Sequence, residues 1–208
     1  MHILLTDVLV CPRCGPSFGL ILLADRIEAR RVIDGKLGCP NCREQYLIRG
    51  GEADLRTGAG AVTPTSHTEK NVRTPSTDAV PLAALLGVTQ GPAYVLLAGD
   101  AALHASAVSA QMEDVEVIAV RTAPPGDADT QGISSVIAEA IPLTTGKMAG
   151  VAITGARVSE LLEAAARAVR PTGRLLVEPA PEDAELRLRG LGLRVLAREG
   201  DVLLASRG

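Results

Sequence analysis

The apolar residues from position 81 onward alternate between short continuous runs and segments with helical spacing. Apolar runs bounded by turn residues predict strands at 94–98, 115–120, 149–154, 174–178, 193–198 and 202–206, with a short one near Ile141. Apolar residues three and four positions apart predict helices at 100–111, 130–139, 157–169 and 181–190. Continuous apolar strands separated by helices indicate an α/β fold, with a mainly parallel sheet covered on both faces.

Two local patterns refine this prediction. Val158, Leu161 and Leu162 begin the clearest helical pattern, with acidic residues early and basic residues late, as the helix dipole favours. Residues 199–201 join the last two strands too tightly for a crossover helix. The sheet is therefore expected to end in an antiparallel hairpin.

The first 56 residues contain all four cysteines of the chain. Cys11 and Cys14 form one Cys-Pro-x-Cys pair, and Cys39 and Cys42 form another after 24 intervening residues. Two such pairs supply the four thiolates of a tetrahedral Zn²⁺ site. Because four thiolates leave no position for water, we expect structural zinc that stabilises the fold and not catalytic zinc. Buried free thiols or a redox pair are the alternatives.

Turn residues divide the chain further. The segment between the cysteine pairs alternates like a hairpin, and Asp34-Gly35 is its predicted turn. Residues 57–80 are rich in Ser, Thr, Pro and Gly without apolar periodicity, which predicts a flexible linker in which His67 is solvated. We expect a small β-rich domain at 1–56 and an α/β domain at 81–208.

Composition and charge narrow the range of partners. The net charge is −3, and residues 1–56 carry 8 basic and 7 acidic side chains while the remainder carries 13 and 17. Neither part has the basic excess that binds phosphate backbones, and three aromatic residues offer little base stacking. The basic residues of the hairpin are interspersed with acidic ones, which favours a solvated face; they are Arg26, Arg30, Arg31 and Lys36. We expect a protein or small-molecule partner, and no nucleic acid.

The expected compartment follows from apolar runs and cysteines. No apolar run approaches the roughly 18 residues of a membrane span, and the N-terminus lacks the pattern of a secretory signal. We therefore expect no membrane association and a cytoplasmic location. Thiols stay reduced there, so paired cysteines are better explained as metal ligands than as disulfides.

The cysteine frame resembles a known family. Residues 4–14, LLTDVLVCPRC, and residues 38–55, GCPNCREQYLIRGGEADL, are similar to the zinc-ribbon family that includes the activator subunit shared by several tRNA, rRNA and translation-factor methyltransferases. The matching positions outside the cysteines are Leu4, Leu5, Leu9, Tyr46, Ile48, Arg49 and Gly51, whereas Leu47, Gly50, Glu52 and Ala53 depart from the family pattern. The resemblance covers residues 3–56 and implies a zinc ribbon that packs beside a methyltransferase.

The later part of the chain resembles a second family. Residues 161–179, LLEAAARAVRPTGRLLVEP, are similar to a helix-turn-strand segment of class I S-adenosylmethionine-dependent methyltransferases, and residues 138–155 resemble that family's Leu-Pro-Phe stretch and fourth strand. The matching residues of the first segment are Arg167, Pro171, Gly173 and Leu175. The resemblance, assigned to residues 81–208, implies a Rossmann-like, mostly parallel sheet.

The second resemblance also indicates where a cofactor would bind. The family holds it with a glycine-rich motif after the first strand and an acidic residue at the end of the second. Here Gly99 keeps the first glycine, but Ala101 and Leu103 replace the other two, and Arg121 stands at the carboxylate position. Asp100 is either a displaced ribose anchor or the N-cap of the next helix.

These departures give the functional hypothesis. We expect a zinc-binding scaffold or partner subunit whose methyltransferase-like domain has lost S-adenosylmethionine binding, with a separate methyltransferase or its own second domain as the partner. No catalytic residue is identified, because His104 has no second catalytic group near it. The alternative is an active methyltransferase with a divergent pocket that uses Gly99 and Asp100. The linker leaves no room for helices before the first strand of the second domain.

Overall fold

One mixed sheet of eleven strands organises the computed structural model, which describes residues 1–58, 79–123 and 132–208. In chain order the strands are β1 (Ile21–Glu28), β2 (Arg31–Gly38), β3 (Gln45–Arg49), β4 (Glu52–Asp54), β5 (Gln90–Gly99), β6 (Glu113–Arg121), β7 (Ile133–Ile137), β8 (Met148–Thr154), β9 (Val169–Glu178), β10 (Leu193–Glu199) and β11 (Val202–Arg207). Their spatial order is β1-β2-β3-β4-β7-β6-β5-β8-β9-β11-β10. His67 and most of the predicted linker lie outside the described residues.

The strands of residues 1–56, which we name the N-terminal unit, form an antiparallel meander. The predicted hairpin is present as β1 and β2, but its predicted turn is wrong. Glu28 pairs with Arg31, so the two-residue turn is Ala29-Arg30, with both φ values positive at 44° and 66°. Gly35 lies inside β2 instead, where a Cβ would come within 2.6 Å of the Leu23 carbonyl oxygen.

Residues 81–208, which we name the C-terminal unit, contain the predicted mixed α/β sheet. The strands from β7 through β6, β5 and β8 to β9 are parallel, and β11 and β10 close the sheet as an antiparallel hairpin. This topology is consistent with a methyltransferase-like Rossmann fold. The prediction of a helix at 130–139 is wrong in its described part, because residues 133–137 form strand β7. The predicted strand near Ile141 is wrong too, since the next strand, β8, begins at Met148. Ile133, Val136 and Ile137 lie at helical spacing, but both faces of β7 are covered.

Helices cover both faces of the parallel strands. The α-helices are α1 (Ala79–Leu86), α2 (Ala105–Ser109), α3 (Val158–Ala168) and α4 (Ala184–Gly190), and 3₁₀ helices cover Ile3–Asp7 and Asp100–His104. The predicted helices near 100, 157 and 181 are confirmed. Helix α1 was not expected, and it packs on the same face as α2. None of the described helices combines the length and apolarity needed to span a membrane.

The two units share one sheet and one core. Strand β4 pairs in parallel with β7, with Ala53 opposite Val136, and the Leu55 amide donates to the Ile137 carbonyl oxygen at 2.8 Å. Leu37 of β2 belongs to the same buried cluster as Val151 of β8. The contact between the units is therefore made within the chain.

A buried polar network also joins the units. The Arg31 guanidinium of β2 lies 3.2 Å from Oε1 of Glu116 on β6, and the two side chains are 14% and 13% exposed. Ser134 Oγ donates to Glu116 at 2.6 Å and accepts from the His2 amide at 2.8 Å. Arg31 therefore belongs to an interface and not to the solvated hairpin face predicted for it.

Candidate metal centre and sheet edge

The four predicted ligands lie together in the N-terminal unit. The sulfur atoms of Cys11, Cys14, Cys39 and Cys42 are all within 4.8 Å of one another, an arrangement that can hold a metal ion. Cys11 and Cys39 are buried, whereas Cys14 and Cys42 are partly exposed. Sequence spacing alone was sufficient to identify this cluster.

The backbone repeats the same turn at both cysteine pairs. Gly15 donates its N–H to the Cys11 carbonyl at 2.9 Å, and Arg43 donates to the Cys39 carbonyl at 3.0 Å. Both residues have positive φ, at 83° and 62°. The reversal after each second cysteine turns the chain back, so that both sulfurs of a pair face the same point.

The chemistry of the thiols fits a cation. Burial opposes ionisation of Cys11, but hydrogen bonds from Tyr46 and from the backbone of Cys14 and Arg13 lower its pKa to about 7. At Cys42 a backbone hydrogen bond from Glu44 favours the thiolate, yet desolvation and the other three cysteines raise its pKa to about 12. Four crowded sulfurs cannot all ionise unless a positive charge compensates them. The donor set therefore suits a thiophilic divalent ion such as Zn²⁺.

The cysteine cluster is attached to the C-terminal unit through residues 8–10, directly before Cys11. The Val10 amide donates to the Pro142 carbonyl at 2.9 Å, and the Thr144 amide donates to the Val8 carbonyl at 2.9 Å. Leu9 and Leu143 form an isolated antiparallel bridge between these segments. The cysteine cluster is thereby held against the segment that joins β7 to β8.

The second candidate site is the edge of the sheet at the carboxyl ends of β5 and β6. Gly99 ends β5 with φ of 68°, and a Cβ there would collide with the Thr154 carbonyl oxygen of β8. Asp100 opens the following 3₁₀ helix, and its carboxylate lies so near Gly155 that a Cβ on Gly155 would be 2.5 Å from Oδ2. The positive φ and the close approach of β8 together account for the glycine at position 99 without a ligand.

Arg121 lies at this edge, where it ends β6. One guanidinium nitrogen donates to the Ala102 carbonyl at 2.7 Å, so the side chain is tied to the 3₁₀ helix. Ala101 and Ala102 are almost fully buried. Burial lowers the pKa of Arg121, and the negative charge of Glu52 opposes that change.

Glu52 is a charged neighbour of Arg121 that the sequence did not reveal. It lies on β4 and accepts a hydrogen bond from Ser135 Oγ of β7 at 2.7 Å. Burial raises the pKa of its carboxyl, while the Ser135 hydrogen bond and the Arg121 charge act against that rise. The sequence marked position 52 only as a departure from the ribbon family. Its role depends on the long-range pairing of β4 with β7, for which the sequence carries no local signal.

His104 lies in the 3₁₀ helix beyond Asp100. Its Nε2 atom and the Nε atom of Arg121 are buried without a hydrogen-bond partner in the described part of the chain. Gly99 and Asp100, the predicted cofactor-binding residues, lie at the carboxyl end of β5, as expected. Among the described residues, the Asp100 side chain forms no ion pair.

Comparisons with known proteins give matches in structure. No protein-family model and no curated protein sequence matches the chain. A chain from the complex of the Haloferax volcanii Trm112 methyltransferase activator with its proposed methyltransferase is 18% identical, with a TM-score of 0.46 over 58% of this chain and 69% of that chain.

Two further solved structures are methyltransferases by name. Precorrin-6y C5,15-methyltransferase from Geobacter metallireducens is 12% identical, with a TM-score of 0.45 over 71% of this chain and 94% of that chain. The 16S rRNA N2 G1207 methyltransferase of T. thermophilus is 19% identical, with a TM-score of 0.38 over 89% of this chain and 43% of that chain. Matches of this strength carry no information on ligand or activity.

Proposed function

We propose that this chain is a zinc-binding scaffold or partner subunit whose methyltransferase-like unit does not bind S-adenosylmethionine. The observation that carries the proposal is the position of Arg121, a cation tied to Ala102 at the end of β6. In the methyltransferases that the sequence resembles, this position holds the carboxylate that accepts hydrogen bonds from the ribose. A guanidinium has only donors and cannot accept them.

The neighbouring substitutions act in the same direction. Ala101 occupies a glycine position of the resembled motif and is buried in the 3₁₀ helix, where the backbone would have to approach a ligand. Each lost hydrogen bond costs on the order of 1–3 kcal/mol. Losses at the ribose and at the glycine turn together lower the expected cofactor affinity by a few orders of magnitude.

The four cysteines define the proposed role of the N-terminal unit. Zinc held by Cys11, Cys14, Cys39 and Cys42 would fix a small β unit whose own core is limited. Strand β4 is already paired with β7 of the same chain. This supports the chain's own second unit as the partner of the ribbon-like unit, and any separate protein would engage another surface. We also propose the division into domains at 1–56 and 81–208, and a cytoplasmic location.

Calorimetric titration of the metal-loaded full chain with S-adenosylmethionine tests the loss of cofactor binding. We expect no binding heat at micromolar concentrations, and metal analysis should give one zinc ion per chain. Micromolar affinity would overturn the non-binding proposal, and zinc-free protein with an intact fold would overturn the metal proposal. A methyltransferase that binds the cofactor serves as the positive control.

A second candidate function is methyl transfer with a divergent pocket. Its supporting observation is that Asp100 directly follows Gly99 at the carboxyl end of β5, where it could anchor a ribose. This alternative requires that the cofactor raise the thermal stability of the protein. The increase should disappear in Asp100→Ala, while the exposed substitution Glu163→Gln should retain it.

A further inference from the structure

The hydroxyl group of Tyr46 contacts the four-cysteine cluster from within the core. It lies on β3, opposite Leu37 of β2, and is 2% exposed. Its oxygen is 3.4 Å from Cys11 Sγ, which is the hydrogen-bond partner of this hydroxyl among the described residues. A buried phenol that faces sulfur needs an explanation, because buried polar groups normally find strong partners.

A bound metal ion would decide how strong this contact is, because a cysteine that ligates a metal does so as the thiolate. A neutral thiol is a weak donor and a weak acceptor, so it would leave the phenol poorly satisfied. A thiolate has no proton, so the phenol must donate, and charge assistance makes such a hydrogen bond roughly twice as strong as a neutral one. The contact is therefore best satisfied when Cys11 is a metal-bound thiolate.

The two cysteine pairs differ in their side-chain donors. In the first pair, Tyr46 contacts Cys11, and Asn41 Nδ2 donates to Cys14 Sγ at 3.3 Å. Asn41 is exposed, so water can replace it. In the described residues, the sulfurs of Cys39 and Cys42 receive no hydrogen bond from a side chain other than a cysteine.

We propose that Tyr46 is a positioning residue of the metal centre, whose hydroxyl group orients Cys11 Sγ and raises the affinity of the four-cysteine site for its ion. The inference rests on the proposed zinc site. Partners that orient metal ligands contribute about 10–100-fold to metal affinity. Because the Tyr46 donor is buried and cannot be replaced by water, its removal should have a larger effect than removal of Asn41.

Cobalt(II) titration of the full chain provides the test, because sulfur-to-cobalt charge-transfer absorption reports the electron density on the thiolates. Tyr46→Phe should weaken Co²⁺ and Zn²⁺ binding about tenfold or more and move the charge-transfer band to lower energy. Tyr94→Phe is the matched control, since the Tyr94 hydroxyl lies 3.4 Å from the Leu4 carbonyl oxygen. That variant should change neither quantity, and Asn41→Ala should change both less than Tyr46→Phe.

A second measurement covers the case in which Tyr46→Phe does not fold. In the Tyr94→Phe background Tyr46 is the single remaining tyrosine, so incorporation of 3-fluorotyrosine labels it alone. The fluorinated phenol is more acidic and donates more strongly, so the band should move to higher energy. An unchanged affinity in Tyr46→Phe, or a band that fluorination does not move, would overturn the role of Tyr46. A wild-type chain that binds neither ion would overturn the zinc proposal itself.

Discussion

Gly15 and Arg43 occupy equivalent positions, each directly after the second cysteine of a pair, and both have left-handed backbone conformations. An L residue with a side chain pays a steric cost of about 1–2 kcal/mol in this region, which glycine avoids. A Cβ at Gly15 would meet nothing within 4 Å. The difference between the two turns is therefore one of backbone conformation and not of packing.

Adding a side chain at position 15 and removing one at position 43 should change the free energy of unfolding in opposite directions. Gly15→Ala should lower the free energy of unfolding of the metal-loaded protein by about 1 kcal/mol. Arg43→Gly should raise it by about 0.5–1 kcal/mol, less than the full steric cost because glycine also loses more chain entropy on folding. Urea unfolding at fixed zinc concentration measures both. A shift of the same sign in both variants would contradict the backbone explanation.

The β1–β2 hairpin is the element in which a strong sequence signal was misleading. Asp-Gly is favoured in tight turns, but it also suits a strand in which another backbone approaches closely. Gly35 meets the second need, because the Leu23 carbonyl lies over it, and Asp34 accepts a hydrogen bond from Arg26 at 2.9 Å. The turn itself is Ala29-Arg30, whose residue types carry no turn signal.

This turn can therefore be improved. Replacing Ala29 by Asn and Arg30 by Gly supplies the residues that favour positive φ at both turn positions. The double variant should gain about 0.5–1 kcal/mol in the free energy of unfolding. Arg30→Lys is the control, because it keeps the conformational cost and should leave stability unchanged. If the double variant is less stable than the wild type, the turn of the hairpin does not lie at Ala29-Arg30.

The other elements show which sequence signals are reliable. Strands β5, β6, β8, β9, β10 and β11 and helices α3 and α4 were recognised because their apolar periodicity is local. Strand β7 was misread, since a short run buried on both faces can have the same spacing as a helix. The four ligands followed from spacing, whereas Glu52 and the β4–β7 junction depend on contacts between residues far apart in the chain.

Glu52 makes the β4–β7 junction sensitive to pH. Burial holds the pKa of its carboxyl above the ordinary value of 4.5, so the folded protein binds this proton more readily than the unfolded chain. Its ionisation therefore removes stability as the pH rises through the folded pKa. Glu52→Gln cannot ionise, so it should be more stable than wild type at pH 7, with a difference that shrinks as the pH falls.

Urea unfolding of the variant and wild type between pH 4 and 7 measures this difference. The exposed substitution Glu182→Gln should leave stability nearly unchanged, because Glu182 forms no ion pair among the described residues. A variant of Glu52 that is less stable than wild type at pH 7 would mean that the attraction between Glu52 and Arg121 outweighs the cost of burial.

At the scale of the whole molecule, the candidate metal centre belongs to a buried core that both units share. The buried cluster that includes Cys11 and Cys39 extends without interruption to Leu175 of β9. The Arg31–Glu116 pair adds a charged contact between the units, and removal of one partner of such a buried pair costs about 3–5 kcal/mol. Loss of the metal should therefore affect strands far from the cysteines.

Metal removal tests this coupling directly. Chelation, or the substitution Cys39→Ser, should lower the free energy of unfolding by several kcal/mol, because binding of a structural ion is folding free energy. Hydrogen exchange followed by peptide should show faster exchange in β8 and β9 as well as in β2 and β3. If β8 and β9 keep full protection while β2 and β3 lose theirs, the units fold independently and the shared core does not couple them. Protection lost in parallel means that one ion supports the stability of all eleven strands, which is the property expected of a metal that serves structure and not catalysis.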